Sequence, residues 1–91
     1  MQQKLKVSVY DTYVPKRDGG LMHFDILVRD TEQDLTKIYD YGKAYLKTKG
    51  QEGQPLTSKE CRFCHIEQVE DMVESSIRQK GYYIIEMEGC Q

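Results

Sequence analysis

The amino-acid sequence predicts an α+β fold in which a four-stranded mixed sheet packs against two helices, in the order β-β-α-β-α-β. Four stretches show the alternating or doubly apolar pattern of strands, and two repeat apolar residues every three or four positions, as amphipathic helices do. A chain of 91 residues has room for one compact hydrophobic core. We therefore expect residues 1–91 to form a single α/β domain.

The first two strands are predicted to form a hairpin. In "KLKVSVYDTYV", Leu5, Val7 and Val9 alternate with polar side chains, which predicts one buried face. "PKRDGG" at 15–20 collects residues that favour turns. The strand after the turn, "LMHFDILV", alternates four apolar side chains with more polar ones: Met22, Phe24, Ile26 and Val28.

The first helix is predicted between Asp30, as the N-terminal cap, and Gly50. Gln33 follows Asp30 at the spacing of a capping box, and an apolar stripe begins at Leu35. Gly42 lies in that stripe although it costs about 1 kcal/mol of helix propensity relative to alanine. We expect this glycine to let the helix approach the sheet closely.

The C-terminal half is predicted to contain strand "ECRFCHIEQ", a short helix ending at Gly81, and strand "YYIIEME". A helix that connects two strands favours their parallel arrangement, and both helices are expected on one face of the sheet. The adjacent Ile84 and Ile85 present apolar groups to both faces, so the fourth strand is expected inside the sheet.

Composition excludes several classes of partner. Charged residues make up 31% of the chain and the net charge is −2, so there is no excess of basic residues to attract nucleic acid. No apolar run reaches the roughly 20 residues that cross a bilayer, and no signal peptide is visible. We therefore expect a cytoplasmic protein without a membrane partner, and its three cysteines are expected to be free thiols.

The "CRFCH" segment at 61–65 has a spacing that can serve several chemistries. Attachment of c-type haem requires export, for which no signal is visible. Thiol exchange requires neighbouring sulfurs, but in a strand Cys61 and Cys64 face opposite sides. The preferred interpretation is that the cysteines are structural and that a buried one acts as a small apolar side chain.

Zinc binding is the main alternative, because the chain contains five candidate ligands: His23, Cys61, Cys64, His65 and Cys90. The predicted parallel arrangement of the last two strands separates Cys61 from Cys90 by the length of the sheet, roughly 23 Å. A closed site then requires the segment to form a knuckle in place of a strand. We therefore expect no cofactor, with zinc as the alternative.

A few other side chains are candidates for a functional surface. Tyr13 and Tyr41 do not follow the apolar periods, so they are the preferred candidates for an interaction surface. His23 is predicted to lie with Asp25 on the face opposite the apolar one, and a Cys-His dyad with it requires the strands to meet. An enzyme acting through carboxylates remains open, with three candidates: Asp11, Asp25 and Glu86.

Four segments in order resemble the DUF2024 family of small, mostly bacterial proteins: "VYDTYV", "MHFD", "EGQPLTSKECRFCH" and "GYYIIEMEGC". The resemblance covers nearly the whole chain and implies a compact α/β fold, a stand-alone protein and no established activity. Its "CRFCH" and "EGC" elements match Cys61, Cys64, His65 and Cys90. The resemblance therefore leaves a thiol or metal role open.

Two functional hypotheses follow. The preferred one is a non-catalytic binding or interaction domain whose partner is an unknown protein or small molecule. The alternative is a zinc-binding or thiol-redox protein that uses the "CRFCH" segment.

Overall fold

A computed structural model describes residues 4–90 of the chain and shows six elements in the predicted order. The elements are β1 (Lys6–Pro15), β2 (Leu21–Arg29), α1 (Leu35–Thr48), β3 (Cys61–Gln68), α2 (Asp71–Lys80) and β4 (Tyr82–Glu88). The α+β class and the order β-β-α-β-α-β are confirmed. Neither helix within residues 4–90 is long and apolar enough to cross a membrane.

The sheet has the strand order β3-β1-β2-β4, and each neighbouring pair is antiparallel. The prediction of a mixed sheet with β3 and β4 parallel was wrong. The connecting helix α2 crosses the sheet from one edge to the other and does not run back along the strands, so β4 points opposite to β3. β4 is also an edge strand, so the expectation that it lies inside the sheet was wrong.

The register of the β1–β2 hairpin places Val9 opposite Leu27 and Tyr10 opposite Ile26. Directly opposite side chains project from the same face of an antiparallel sheet. Odd-numbered residues of both strands therefore share one face, and even-numbered residues share the other. The apolar stripe of β1 at Val7 and Val9 lies on the face opposite to the even-numbered stripe of β2.

Each face carries its own apolar cluster and its own helix, so the expectation of two helices on one face was wrong. The face that α1 covers, the α1 face, includes the fully buried Phe24 and Ile26. The face that α2 covers, the α2 face, includes Val9, Leu27 and the α2 residue Ile77. A helix on each side explains why an edge strand such as β4 is apolar in both directions.

Helix α1 begins after Asp34, whose carboxylate accepts a hydrogen bond from the Lys37 backbone N–H at 3.2 Å. The cap is therefore Asp34 and not Asp30. Gly42 faces the sheet as predicted, since a Cβ atom there would lie 2.5 Å from Leu56 Cδ1 and 2.9 Å from Ile26 Cδ1. The missing side chain lets the helix pack directly on the core.

The path of α2 leaves one end of the α2 face uncovered. β3 ends at Gln68 and β4 begins at Tyr82, and both positions lie at the end of the sheet where β1 begins. A helix of 10 residues is about 15 Å long, close to the roughly 14 Å width of four strands. α2 therefore crosses the sheet at this end, and no helix within residues 4–90 covers the opposite end of the α2 face.

Candidate functional site

The uncovered end of the α2 face carries four side chains of the two central strands, which we call the polar platform: Asp11, Tyr13, His23 and Asp25. The hairpin register pairs Asp11 with Asp25 and Tyr13 with His23. One potential ligand atom from each of Asp11, His23 and Asp25 lies within 4.8 Å of the others. Side chains from both strands therefore converge on one spot.

The His23 ring is held in a defined orientation. Its Nε2 atom lies 2.6 Å from Asp11 Oδ1, and the Tyr13 ring stacks on its flat side at 4.1 Å between centroids with an interplanar angle of 11°. Stacking restricts rotation of the imidazole, and the hydrogen bond selects which nitrogen faces the carboxylates. The platform thus presents an imidazole nitrogen and carboxylate oxygens to the same small volume.

The surroundings of Asp25 disfavour the ionised form of its carboxyl group. Burial, followed by the hydrogen bond and the charge of Asp11, raises the pKa of Asp25 from 3.8 to about 6, although the nearby His23 and His65 oppose the rise. Within residues 4–90, neither carboxylate forms an ion pair with a Lys or Arg side chain. Two acidic groups whose ligand atoms lie within 4.8 Å of one another form a site that a bound cation would stabilise.

Replacing Asp25 with asparagine is expected to stabilise the protein above pH 6. The folded pKa of about 6 exceeds the ordinary value of 3.8, so the fold disfavours the ionised form, and this penalty grows as pH rises from 3.8 to 6. The full shift corresponds to about 3 kcal/mol, which screening by water at this partly exposed site reduces to about 1 kcal/mol. Urea unfolding at several pH values measures the gain, which should vanish below about pH 4. An Asp25→Asn protein no more stable than the wild type at neutral pH would contradict the strained pair.

The structure places Cys64 and His65 in a bulge on the outer strand β3. His65 lies opposite Val9 and Phe63 opposite Tyr10, so Cys64 has no partner in β1. His65 Nδ1 lies 3.2 Å from Cys64 Sγ, and both side chains are exposed. The bulge therefore forms a separate Cys-His contact at the sheet edge.

The other two cysteines are buried in the α1-face core. Burial raises the pKa of the Cys61 thiol, and the Cys90 sulfur lies 3.4 Å from the His23 carbonyl oxygen. Because β3 and β4 are antiparallel, Cys61 and Cys90 lie at the same end of the sheet, contrary to the expected separation along its length. Cys61 belongs to the edge strand β3, whereas the Cys90 sulfur lies against β2, which is two strands away from β3 in the sheet.

The five predicted metal ligands do not form one cluster. Across the part of the chain that the structure describes, the group of three or more potential ligands is Asp11, His23 and Asp25. His23 was named as a metal ligand and the two aspartates as carboxylates, but their combination was missed. The signal that would have found it is the hairpin register, since a five-residue connection from Pro15 to Leu21 pairs position 11 with 25.

The two candidate surface tyrosines have different environments. Tyr13 is 44% exposed and stacks on His23 at the margin of the polar platform. Tyr41 is half-buried and stacks on Tyr82 at 4.3 Å between centroids. Tyr13 thus belongs to the site, whereas Tyr41 supports the packing of α1 on β4.

A groove of about 580 Å³ lies elsewhere, between α1 and the loop at 52–57. Its lining includes Lys43, Lys47 and Glu52, but none of the platform residues. This groove and the cluster of titratable groups therefore lie in different parts of the structure. The convergent ligand atoms and the shifted pKa of Asp25 make the polar platform the candidate site.

Fold and site together define a small α+β protein with an antiparallel sheet, a helix on each face and an open polar platform. The chain belongs to the DUF2024 family, described as a domain of unknown function, whose family model matches residues 5–87. The NMR structure of protein NE1680 from Nitrosomonas europaea, a structural genomics target, is 46% identical with a TM-score of 0.80. The match covers 96% of this chain and 100% of that one. No curated protein matches the chain.

Proposed function

We propose that this protein is a binding domain whose polar platform holds one divalent transition-metal cation, with Zn²⁺ as the preferred ion. The observation that carries the proposal is the convergence of one ligand atom from each of Asp11, His23 and Asp25 within 4.8 Å of one another, and the raised pKa of Asp25 supports it. A cation between Asp11, His23 and Asp25 would favour the ionised form of both aspartates. It would also explain why a partly buried sheet face keeps charged residues.

The mixture of ligand atoms favours zinc over the alkaline-earth ions. Zn²⁺ binds imidazole nitrogen together with carboxylate oxygen, whereas Mg²⁺ and Ca²⁺ prefer oxygen ligands throughout. Three protein ligands leave a coordination position open to water or to a small molecule. Tyr13, which is 44% exposed and stacks on His23, would offer a flat ring surface to such a molecule.

Protein purified without chelator is expected to carry one Zn²⁺ per chain in native mass spectrometry. Calorimetric titration should show affinity falling between about pH 7.5 and pH 5, because below its pKa of about 6 Asp25 must lose a proton before it binds. Failure to take up zinc at either pH, or an affinity independent of pH, would refute the proposal.

A second candidate is a thiol function of Cys64. Its sulfur lies 3.2 Å from His65 Nδ1 on an exposed edge, and an adjacent imidazole can accept the proton of a nucleophilic thiol. The contact is independent of the polar platform, so both sites can exist in one molecule.

Timed labelling with an alkylating reagent is expected to modify Cys64 first, because Cys61 and Cys90 are buried and react only when the structure opens. His65→Ala should slow Cys64 labelling by roughly tenfold if the imidazole activates the thiol. Equal labelling rates for the wild type and His65→Ala would show that His65 does not activate the Cys64 thiol.

A further inference from the structure

The outer edge of β3 is unpaired and exposes two large apolar side chains. Within residues 4–90 no strand pairs with this edge, because β3 is the terminal strand of the sheet. Phe63 is 55% exposed and Ile66 is 52% exposed. The Phe63 ring packs edge-on against the Tyr10 ring, with 5.7 Å between the ring centroids. Proteins usually protect a long edge strand, because its free backbone groups can pair with another chain.

We propose that β3 pairs antiparallel with β3 of a second copy of this chain, about a twofold axis between Cys64 and His65. In this register, Arg62 lies opposite Glu67 of the second copy, and Phe63 lies opposite its Ile66. The symmetry repeats both contacts, giving two opposite-charge pairs and two apolar pairs. Cys64 and His65 of the two copies then meet at the axis.

The bulge at Cys64 makes the strand self-complementary. Arg62 lies opposite Asp11 and Glu67 opposite Val7, so both project from the α2 face. Without the extra residue, positions 62 and 67 would project from opposite faces, because their numbers differ by an odd number. The bulge therefore places the two charges of each pair on the same side of the joined sheet.

The apolar residues of each pair also project from one face, which is the α1 face. Phe63 lies opposite Tyr10 and Ile66 opposite Ser8, which are even-numbered residues of β1. Each exposed apolar side chain therefore meets an apolar partner across the axis. Glu67 also lies 3.4 Å from His65 Nε2, so the incoming Arg62 would join an existing contact between these two side chains.

The other edge strand, β4, does not suit this pairing. It carries Glu86 and Glu88 but no Lys or Arg, so a second copy of β4 would bring like charges together. Glu86 is already bound to Lys49 at 2.8 Å on its own chain. Charge complementarity therefore selects β3 as the surface for self-association.

Sedimentation equilibrium in the presence of chelator tests the pairing independently of metal binding. The wild type is expected to reach twice the chain mass of 10.7 kDa at high micromolar concentration. Arg62→Glu and Glu67→Arg should each raise the dimer dissociation constant at least about tenfold, because the symmetry doubles each repulsion. The double variant R62E/E67R should restore it to within about threefold of the wild type.

Lys80→Glu is the matched control, because it makes the same charge change at the exposed end of α2 and should leave the dissociation constant unchanged. Circular dichroism verifies that each variant is folded. A wild type that stays monomeric throughout the concentration range would overturn the proposal. So would a dimer that the single reversals do not weaken, or that the double variant does not recover.

Discussion

Replacing His23 with alanine is expected to weaken Zn²⁺ binding by at least about 100-fold. Loss of an outer-shell partner of a metal site already costs 10–100-fold, and His23 would supply the nitrogen ligand itself. The two remaining carboxylates form an oxygen site that prefers harder cations. Isothermal titration calorimetry at neutral pH measures the change.

His65→Ala is the matched control for this experiment, because the chain contains only two histidines. His65 contacts Cys64 and Glu67 on the outer strand and is not a member of the ligand cluster. Its removal should leave zinc affinity within about threefold of the wild type, as expected for an independent site. The reverse result, with His65→Ala losing zinc and His23→Ala retaining it, would move the metal site to the "CRFCH" bulge.

Asp25→Asn adds a second control because it should change stability and affinity in opposite directions. The variant removes the strained charge, so it is expected to be more stable than the wild type at neutral pH. It also removes a ligand oxygen charge, so it should bind zinc less tightly. A residue that destabilises the fold while improving binding is typical of a functional site, whereas a structural residue lowers stability when replaced.

Replacing Phe24 with alanine is expected to lower the free energy of unfolding by about 3–5 kcal/mol. Phe24 is fully buried at the centre of the α1 face and contacts the Tyr45 ring of α1 at 4.7 Å between centroids. The substitution removes this contact and leaves a cavity between sheet and helix. Urea unfolding followed by circular dichroism gives the change from the midpoint and slope.

Phe63→Ala is the matched control, because Phe24 and Phe63 are the two phenylalanines of the chain. Phe63 is 55% exposed, so its removal from the monomer should cost less than about 1 kcal/mol. The measurement is made at a protein concentration low enough to exclude self-association. Similar losses of stability for both variants would contradict the burial of Phe24 in the apolar cluster of the α1 face.

The sequence was sufficient to predict the elements, because hydrophobic period and turn residues are local properties. Alternation in β1 and β2, the apolar stripe of α1 and the close approach at Gly42 all depend on neighbours within a few positions. The cap of α1 was misplaced by four residues, at Asp30 in place of Asp34, because both aspartates precede the stripe. Local pattern alone did not discriminate between them.

Strand pairing and helix placement could not be predicted in the same way, because they depend on register and on the direction of the connections. Both helices were expected on one face of the sheet, although the hairpin register places the stripe at Val7 and Val9 and the stripe containing Phe24 on opposite faces. The same register pairs Asp11 with Asp25. Because the register was unknown, neither the candidate site nor the face that α2 covers could be predicted.

Titration of ¹⁵N-labelled protein with Zn²⁺, followed by ¹H–¹⁵N correlation spectra, tests the central claim most directly. We predict saturable shifts at one equivalent that centre on the amides of Asp11, Tyr13, His23 and Asp25, with the His23 ring nitrogens moving together with them. Shifts centred on Cys64 and His65, or no saturable shift at any residue, would contradict metal binding at the polar platform.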